Sequence, residues 1–327
     1  MKEKKIYCEE CRKLVNYKIS EKETTRKLKD TNVKFIEKIA TCCECGYEVY
    51  VDELNDLNLD ELYNQYRIAN DVITLNKIRQ IPEMYDIGKR PLSIVLGWGE
   101  QTFTRYYDGY IPTQQYSKLL ETIFEDPYAF LTILVSNKDQ ISKVAYTKSR
   151  KAAEKLMYKD CISIDIVSNY ILSQCNDITP LALQKALYYA QGFYFAFFNG
   201  FLLKENCEAW VHGPVYREIY NTYSNYKYDT IDDIESVDPN VFTPNQKLIL
   251  DNVIKSFCCY SGKVLEGFTH NETPWNKTRG DLPNEMASNR VIEKSLICEY
   301  FTNVVKKYNM LNPSDISKYA IDMFRSR

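Results

Sequence analysis

Two Cys-x-x-Cys pairs, Cys8 with Cys11 and Cys42 with Cys45, constrain the amino-terminal part of this chain more than any other feature. Each spacing makes a tight knuckle that brings two thiolates to one point, and Gly46 follows the second pair where such a turn needs positive φ. Four soft sulfur ligands match one tetrahedral Zn²⁺ ion and leave no coordination position open, so the site reads as structural. Cys43 is an alternative to Cys42, although the Cys-x-x-Cys-Gly spacing favours Cys42. Val33–Ile39 and Tyr47–Val51 read as strands, so a small β-ribbon is expected around the ion. Binding free energy of the metal would then supply what a segment this short cannot obtain from its own core.

The other cysteines, Cys161, Cys175, Cys207, Cys258, Cys259 and Cys298, lack this spacing and are assigned no second metal. Eleven cysteines, an odd number unevenly spread, fit a reducing compartment better than a disulfide framework. The chain opens Met1-Lys2-Glu3-Lys4-Lys5 with no apolar leader, which predicts a cytoplasmic protein. Ala186–Leu203 is uncharged and of membrane-spanning length, but Gln191, Gly192, Asn199 and Gly200 interrupt it between Lys185 and Lys204. A buried helix followed by a turn is expected there, and no membrane partner. Net charge is −2, which does not by itself suggest a nucleic-acid binder. Lys138–Lys159 is locally basic, with only Asp139 and Glu154 opposing, and a solvated helix face is the default reading.

After Asp52 the periodicity turns helical, with Leu59, Leu62, Tyr63 and Tyr66 at three- and four-residue spacing. Thr74 caps a further helix carrying Ile78 and Ile81. Pro91–Gly97 then reads as a short apolar helix, Trp98-Gly99 as a turn, and Glu100–Tyr107 as a second short helix before Asp108-Gly109. Two helices about a tight glycine-containing turn outline a helix-turn-helix, whose second helix enters the major groove. Phe103 and Tyr106 should pack inward, which leaves Gln101, Thr102, Thr104 and Arg105 as the DNA-facing candidates. Gln101 and Arg105, four residues apart, project together. Glutamine pairs with adenine and arginine with guanine. Thr113–Phe124, closed by Pro127, should complete the core.

The cysteine module followed by Leu-Gly-Trp-Gly-Glu-Gln-Thr-Phe-Thr-Arg-Tyr-Tyr-Asp-Gly resembles the MqsA (YgiT-type) antitoxins over about residues 5–135. That resemblance implies a zinc module joined to an Xre-like helix-turn-helix that binds operator DNA, as a homodimer. In that family an Asn and an Arg read bases; Arg105 matches the Arg, and Gln101 stands where the Asn would be.

Further along, Asp165–Cys175 is helical in pattern, and Thr179-Pro180 opens a long helix with Leu183, Ala186, Leu187, Ala190 and Tyr194 on one face, ended by Asn199-Gly200. Phe201–Lys204 is strand-like, and Val215–Tyr223 reads as a helix. The run Ile178–Gly192 with Trp210-Val-His-Gly-Pro-Val-Tyr216 resembles the Panacea (SocA-like) domain over about residues 162–285. This implies neutralisation of a small cognate protein toxin by direct binding, or, as in SocA, delivery of the toxin to a protease. Trp210, His212 and Tyr216 are the candidate toxin-facing residues, since aromatics anchor interfaces.

No P-loop, dinucleotide motif or His-paired nucleophile is present, which argues against an enzyme and leaves no catalytic residue to name. The expected fold is mainly α. It comprises a zinc-bound β-ribbon (1–52), a helix-turn-helix domain (53–136), a basic helical linker (137–160) and a mostly helical Panacea domain with a short β element (161–327). The expected function is that of a type II antitoxin that also autoregulates its operon. The alternatives are a phage-type transcriptional regulator with a partner-sensing domain, and a proteolytic adaptor.

Overall fold

The computed structural model describes residues 5–175 and 177–326, so the charged opening Met1–Lys4 lies outside the described residues. The chain divides into two compact units, Met1–Ala153 and Glu154–Arg327.

In the first unit, a hairpin of β1 (Ile6–Cys8) and β2 (Lys13–Val15) precedes a long antiparallel ribbon, β3 (Tyr17–Leu28) and β4 (Thr31–Cys42). The ribbon pairs over its whole length, from Tyr17↔Cys42 to Leu28↔Thr31. β4 carries the apolar alternation: Val33 and Phe35 are buried against Leu62 and Tyr66 of α1 (Asp52–Ala69). β3 is almost wholly exposed, and its alternating Lys and Glu residues guard that edge against further pairing. Tyr47–Val51, expected as a strand, contributes only a single bridge, Thr41↔Glu48. Leu59, expected on the packed face of α1, is exposed, and Leu54 is buried instead.

A five-helix bundle follows: α2 (Leu75–Met84), α3 (Lys89–Val95), α4 (Thr102–Tyr107), α5 (Gln114–Glu125) and α6 (Pro127–Ser136). Thr74 and Thr113 cap α2 and α5 through their hydroxyls. Pro127 does not merely end α5: it occupies the first turn of α6, where a missing amide costs nothing, and Asp126 caps that helix. Ile78, Ile81, Leu92, Val95, Phe103, Leu120, Ile123 and Phe130 form the shared core. The basic stretch becomes α7 (Lys143–Met157).

The second unit is built around α9 (Pro180–Phe198). It is packed by α8 (Ile164–Gln174), α10 (Arg217–Tyr223), α11 (Pro244–Phe257), α12 (Gly262–His270) and α14 (Lys294–Lys307). Thr179 caps α9 with Pro180 at its first position, and Asn199 ends it in the left-handed conformation at φ 53°. Ala182–Phe195 is buried on every side, not on one face, because neighbours surround the helix. A hairpin of β5 (Glu208–Trp210) and β6 (Gly213–Val215) lies before α10, and α13 (Thr273–Arg279) and α15 (Ile316–Arg325) complete the unit. Phe201–Lys204 is not a strand: it is an irregular turn back from α9 in which the Leu203 amide donates to Gln191 Oε1 at 2.8 Å. Among the described residues no helix is long and apolar enough to cross a membrane.

Candidate metal, nucleic-acid and partner sites

β1, the end of β4 and the two knuckles bring Cys8, Cys11, Cys42 and Cys45 together, with all four Sγ atoms within 4.8 Å of one another. Cys8 and Cys45 are 3.6 Å apart and Cys11 and Cys42 are 3.9 Å apart. A tetrahedron with metal–sulfur bonds near 2.3 Å has edges of roughly 3.8 Å. The set therefore fits one metal ion. Each knuckle turns an amide toward a sulfur, Cys11 N to Cys8 at 3.5 Å and Glu44 N to Cys42 at 3.3 Å. The residue after each pair is left-handed, Arg12 at φ 53° and Gly46 at φ 75°. Cys43 is exposed and outside this group.

In the bundle, α3 and α4 are joined by a six-residue turn and locked by a buried hydroxyl: Phe103 N donates to Ser93 Oγ at 2.8 Å. Phe103 is fully buried. Tyr106 is half-buried and meets Trp98 edge-on, while Trp98 stacks on Tyr116 at 4.4 Å. Gln101 and Arg105 are exposed, and the Arg105 amide donates to the Gln101 carbonyl at 3.1 Å, so the two side chains leave adjacent turns of one face. Thr102 and Thr104 are half-buried beside them.

In the second unit, polar side chains on α9 hold the β5–β6 hairpin. Gln184 clasps the Tyr216 backbone, accepting from its amide at 2.7 Å and donating to its carbonyl at 3.2 Å. Lys185, with no exposed surface, donates to the Pro214 carbonyl at 3.0 Å. Desolvation brings its pKa down from 10.5 to about 7. Gly213, at φ +97°, is needed here, because a Cβ would lie 2.8 Å from Lys185 Cε. Behind α9, buried Glu272 accepts from Tyr189 at 2.9 Å and Tyr319 at 2.6 Å, and desolvation raises its pKa from 4.5 to about 7. Buried Arg279 donates to the carbonyls of Ala209, Pro283 and Met286.

Of the expected toxin-facing residues, His212 is exposed, with Nδ1 3.3 Å from Glu266 Oε1. Trp210 is half-buried, edge-on to exposed Tyr220 at 4.7 Å, and the Arg217 guanidinium lies 5.7 Å from its ring. Arg217 is itself paired to Glu208, which also accepts from the Trp210 indole at 2.7 Å. Tyr216 is 1 % exposed. Its ring belongs to the core and is not available to a partner. Sequence reasoning passed over Gln184, Lys185, Gln191, Glu272 and Arg279. For Gln184, Lys185 and Gln191 the available signal was polarity inside the otherwise apolar run 182–195, which marks side chains that bond backbone; Glu272 and Arg279 lie outside that run.

Residues 183–276 match the family model described as antitoxin SocA-like, Panacea domain. The matched span runs from α9 into α13 and so contains the Gln184–Lys185 clasp, the hairpin and Glu272. No curated protein and no solved structure matches the chain.

Proposed function

We propose that the protein is a cytoplasmic, non-enzymatic antitoxin of a type II system: its second unit binds and occludes a small protein toxin, and its first unit binds the operator of its own operon. The observation that carries this reading is the SocA-like Panacea match over residues 183–276. The face most suited to the toxin is the one around Trp210 and Tyr220, flanked by Arg217 and His212. It offers the residue types that dominate binding energy, held in place by Glu208.

For the first unit, support comes from the short helix α4, on which exposed Arg105 stands one turn from exposed Gln101 at the N-cap, on a rigid support. An amide and a guanidinium so placed suit an adenine and a guanine edge in the major groove, with Thr102 and Thr104 beside them. Two copies of the chain on a two-fold operator would follow the usual geometry of such proteins. The four-thiol group is assigned one structural Zn²⁺. Cys8, Cys11, Cys42 and Cys45 would hold it, and its role would be to fix the ribbon on which α1 packs.

The test has two arms. Tagged full-length protein, co-expressed with the product of the reading frame beside its gene, should co-purify with it, and Trp210→Ala should weaken the complex by about 2 kcal/mol. In a gel shift, Arg105→Ala should weaken binding to the upstream duplex by roughly 1–3 kcal/mol. Absence of a complex removes the antitoxin assignment; unchanged duplex binding removes α4 as the reading helix.

A further inference from the structure

We infer that Tyr110 is a positioning residue for Arg105, holding its guanidinium ready for a guanine edge of duplex DNA. This rests on the reading of α4 as the recognition helix. The Tyr110 ring lies 5.6 Å from the Arg105 guanidinium carbon and is 62 % exposed, so it is a surface platform and not a core residue.

The backbone explains why the ring is there. Gly109, at φ +112°, turns the chain back on α4, and the Tyr110 amide then donates to the Arg105 carbonyl at 3.0 Å. Position 110 is thereby bonded directly to the residue whose side chain it supports. The turn is fixed from behind by Arg67 of α1, 1 % exposed, whose Nη2 donates to the Gly109 carbonyl at 2.6 Å. A second cation, Arg79, donates to the Tyr107 carbonyl at 3.2 Å. Two arginines thus hold the carbonyl end of a helix only six residues long.

The acids beside Arg105 are turned elsewhere: Asp108 faces Lys89 at 3.8 Å and Glu100 pairs with Arg90 at 2.8 Å. An aromatic face orients a guanidinium without using its N–H donors. An acid in the same place would occupy the donors that must read the base. Tyr110 therefore lowers the number of Arg105 rotamers while leaving its bidentate fork free, which favours the ordered bound state.

The experiment compares wild type, Tyr110→Ala, Tyr110→Phe and Arg105→Ala on two probes: a duplex from immediately upstream of the gene and a scrambled duplex of equal length. Tyr110→Ala should lose roughly two- to fivefold in affinity for the upstream duplex and none for the scrambled one. Tyr110→Phe, which keeps the ring, should bind as wild type. Equal losses for Phe and Ala would mean that the hydroxyl contacts a phosphate, and would overturn the inference. So would an unchanged Tyr110→Ala. Wild type with no preference for the upstream duplex would sink the DNA reading itself. A readout free of DNA separates the two: the Arg105 side-chain protons should be shifted upfield by the Tyr110 ring current, and Tyr110→Ala should abolish that shift.

Discussion

Lys185 and Glu272 are ionisable groups placed where no water reaches, and each shows how a buried charge can be tolerated when its role is to fasten backbone or neighbouring hydroxyls. Burial moves both toward the neutral form, from opposite directions. Glu272 rises on folding, so between about pH 4.5 and 7 the folded state keeps a proton that the unfolded chain releases. Its contribution is complete below that interval and is lost across it as pH rises. Lys185 falls on folding, so between about pH 7 and 10.5 the unfolded chain binds the extra proton, and stability climbs with pH there. Both groups therefore cost most near neutrality. Relative to wild type, Glu272→Gln should gain roughly 3 kcal/mol of stability as pH goes from 4.5 to 7 and little beyond it. Thermal unfolding followed across pH measures this, and a pH-independent difference would show that folding leaves the pKa of Glu272 unshifted.

At the scale of elements, α9 with its hairpin is the construction that organises the second unit. Replacing Gln184 with Leu leaves the buried Tyr216 amide without its partner, while the Tyr216 carbonyl keeps its bond from the Tyr220 amide at 3.0 Å, and should cost roughly 1–3 kcal/mol. The denaturant midpoint reports it, and no shift would mean that water takes over the Tyr216 amide. Legibility in sequence followed local chemistry. Thr74, Thr113 and Thr179 announce helix starts because a hydroxyl caps an amide, and Asn199 announces an end because it tolerates the left-handed backbone. The two cysteine pairs mark the metal group because the ligand spacing is itself local. Strand β3 was illegible: Tyr17–Leu28 has no apolar alternation, since neither face is buried, and its conformation comes from pairing with β4. Phe201–Lys204 misled in the other direction. Its apolar residues look like a strand, but they fill a core beneath a turn whose amide is satisfied by Gln191. Tyr216 misled for a related reason, because an aromatic beside a motif can as well be core as contact.

At the scale of the whole molecule, the cysteine ribbon shares its apolar face with α1 and Ile111, and α1 in turn sends Arg67 to the turn after α4. Metal loss should therefore reach further than the ribbon. Stripping the ion with a chelator should lower the first unit's unfolding temperature and weaken duplex binding together, while the transition of Glu154–Arg327 stays in place. Calorimetry with elemental analysis for zinc checks this, and a metal-free protein with unaltered duplex affinity would detach the ribbon from recognition. The toxin-facing claim, by contrast, depends on the second unit.

The most direct test of the account is growth. Cells in which the product of the neighbouring reading frame is induced should stop growing, and co-expression of this protein should restore them, with Trp210→Ala restoring them less and Arg105→Ala as fully as wild type. Failure of the wild-type chain to restore growth, at matched expression, would contradict the antitoxin assignment.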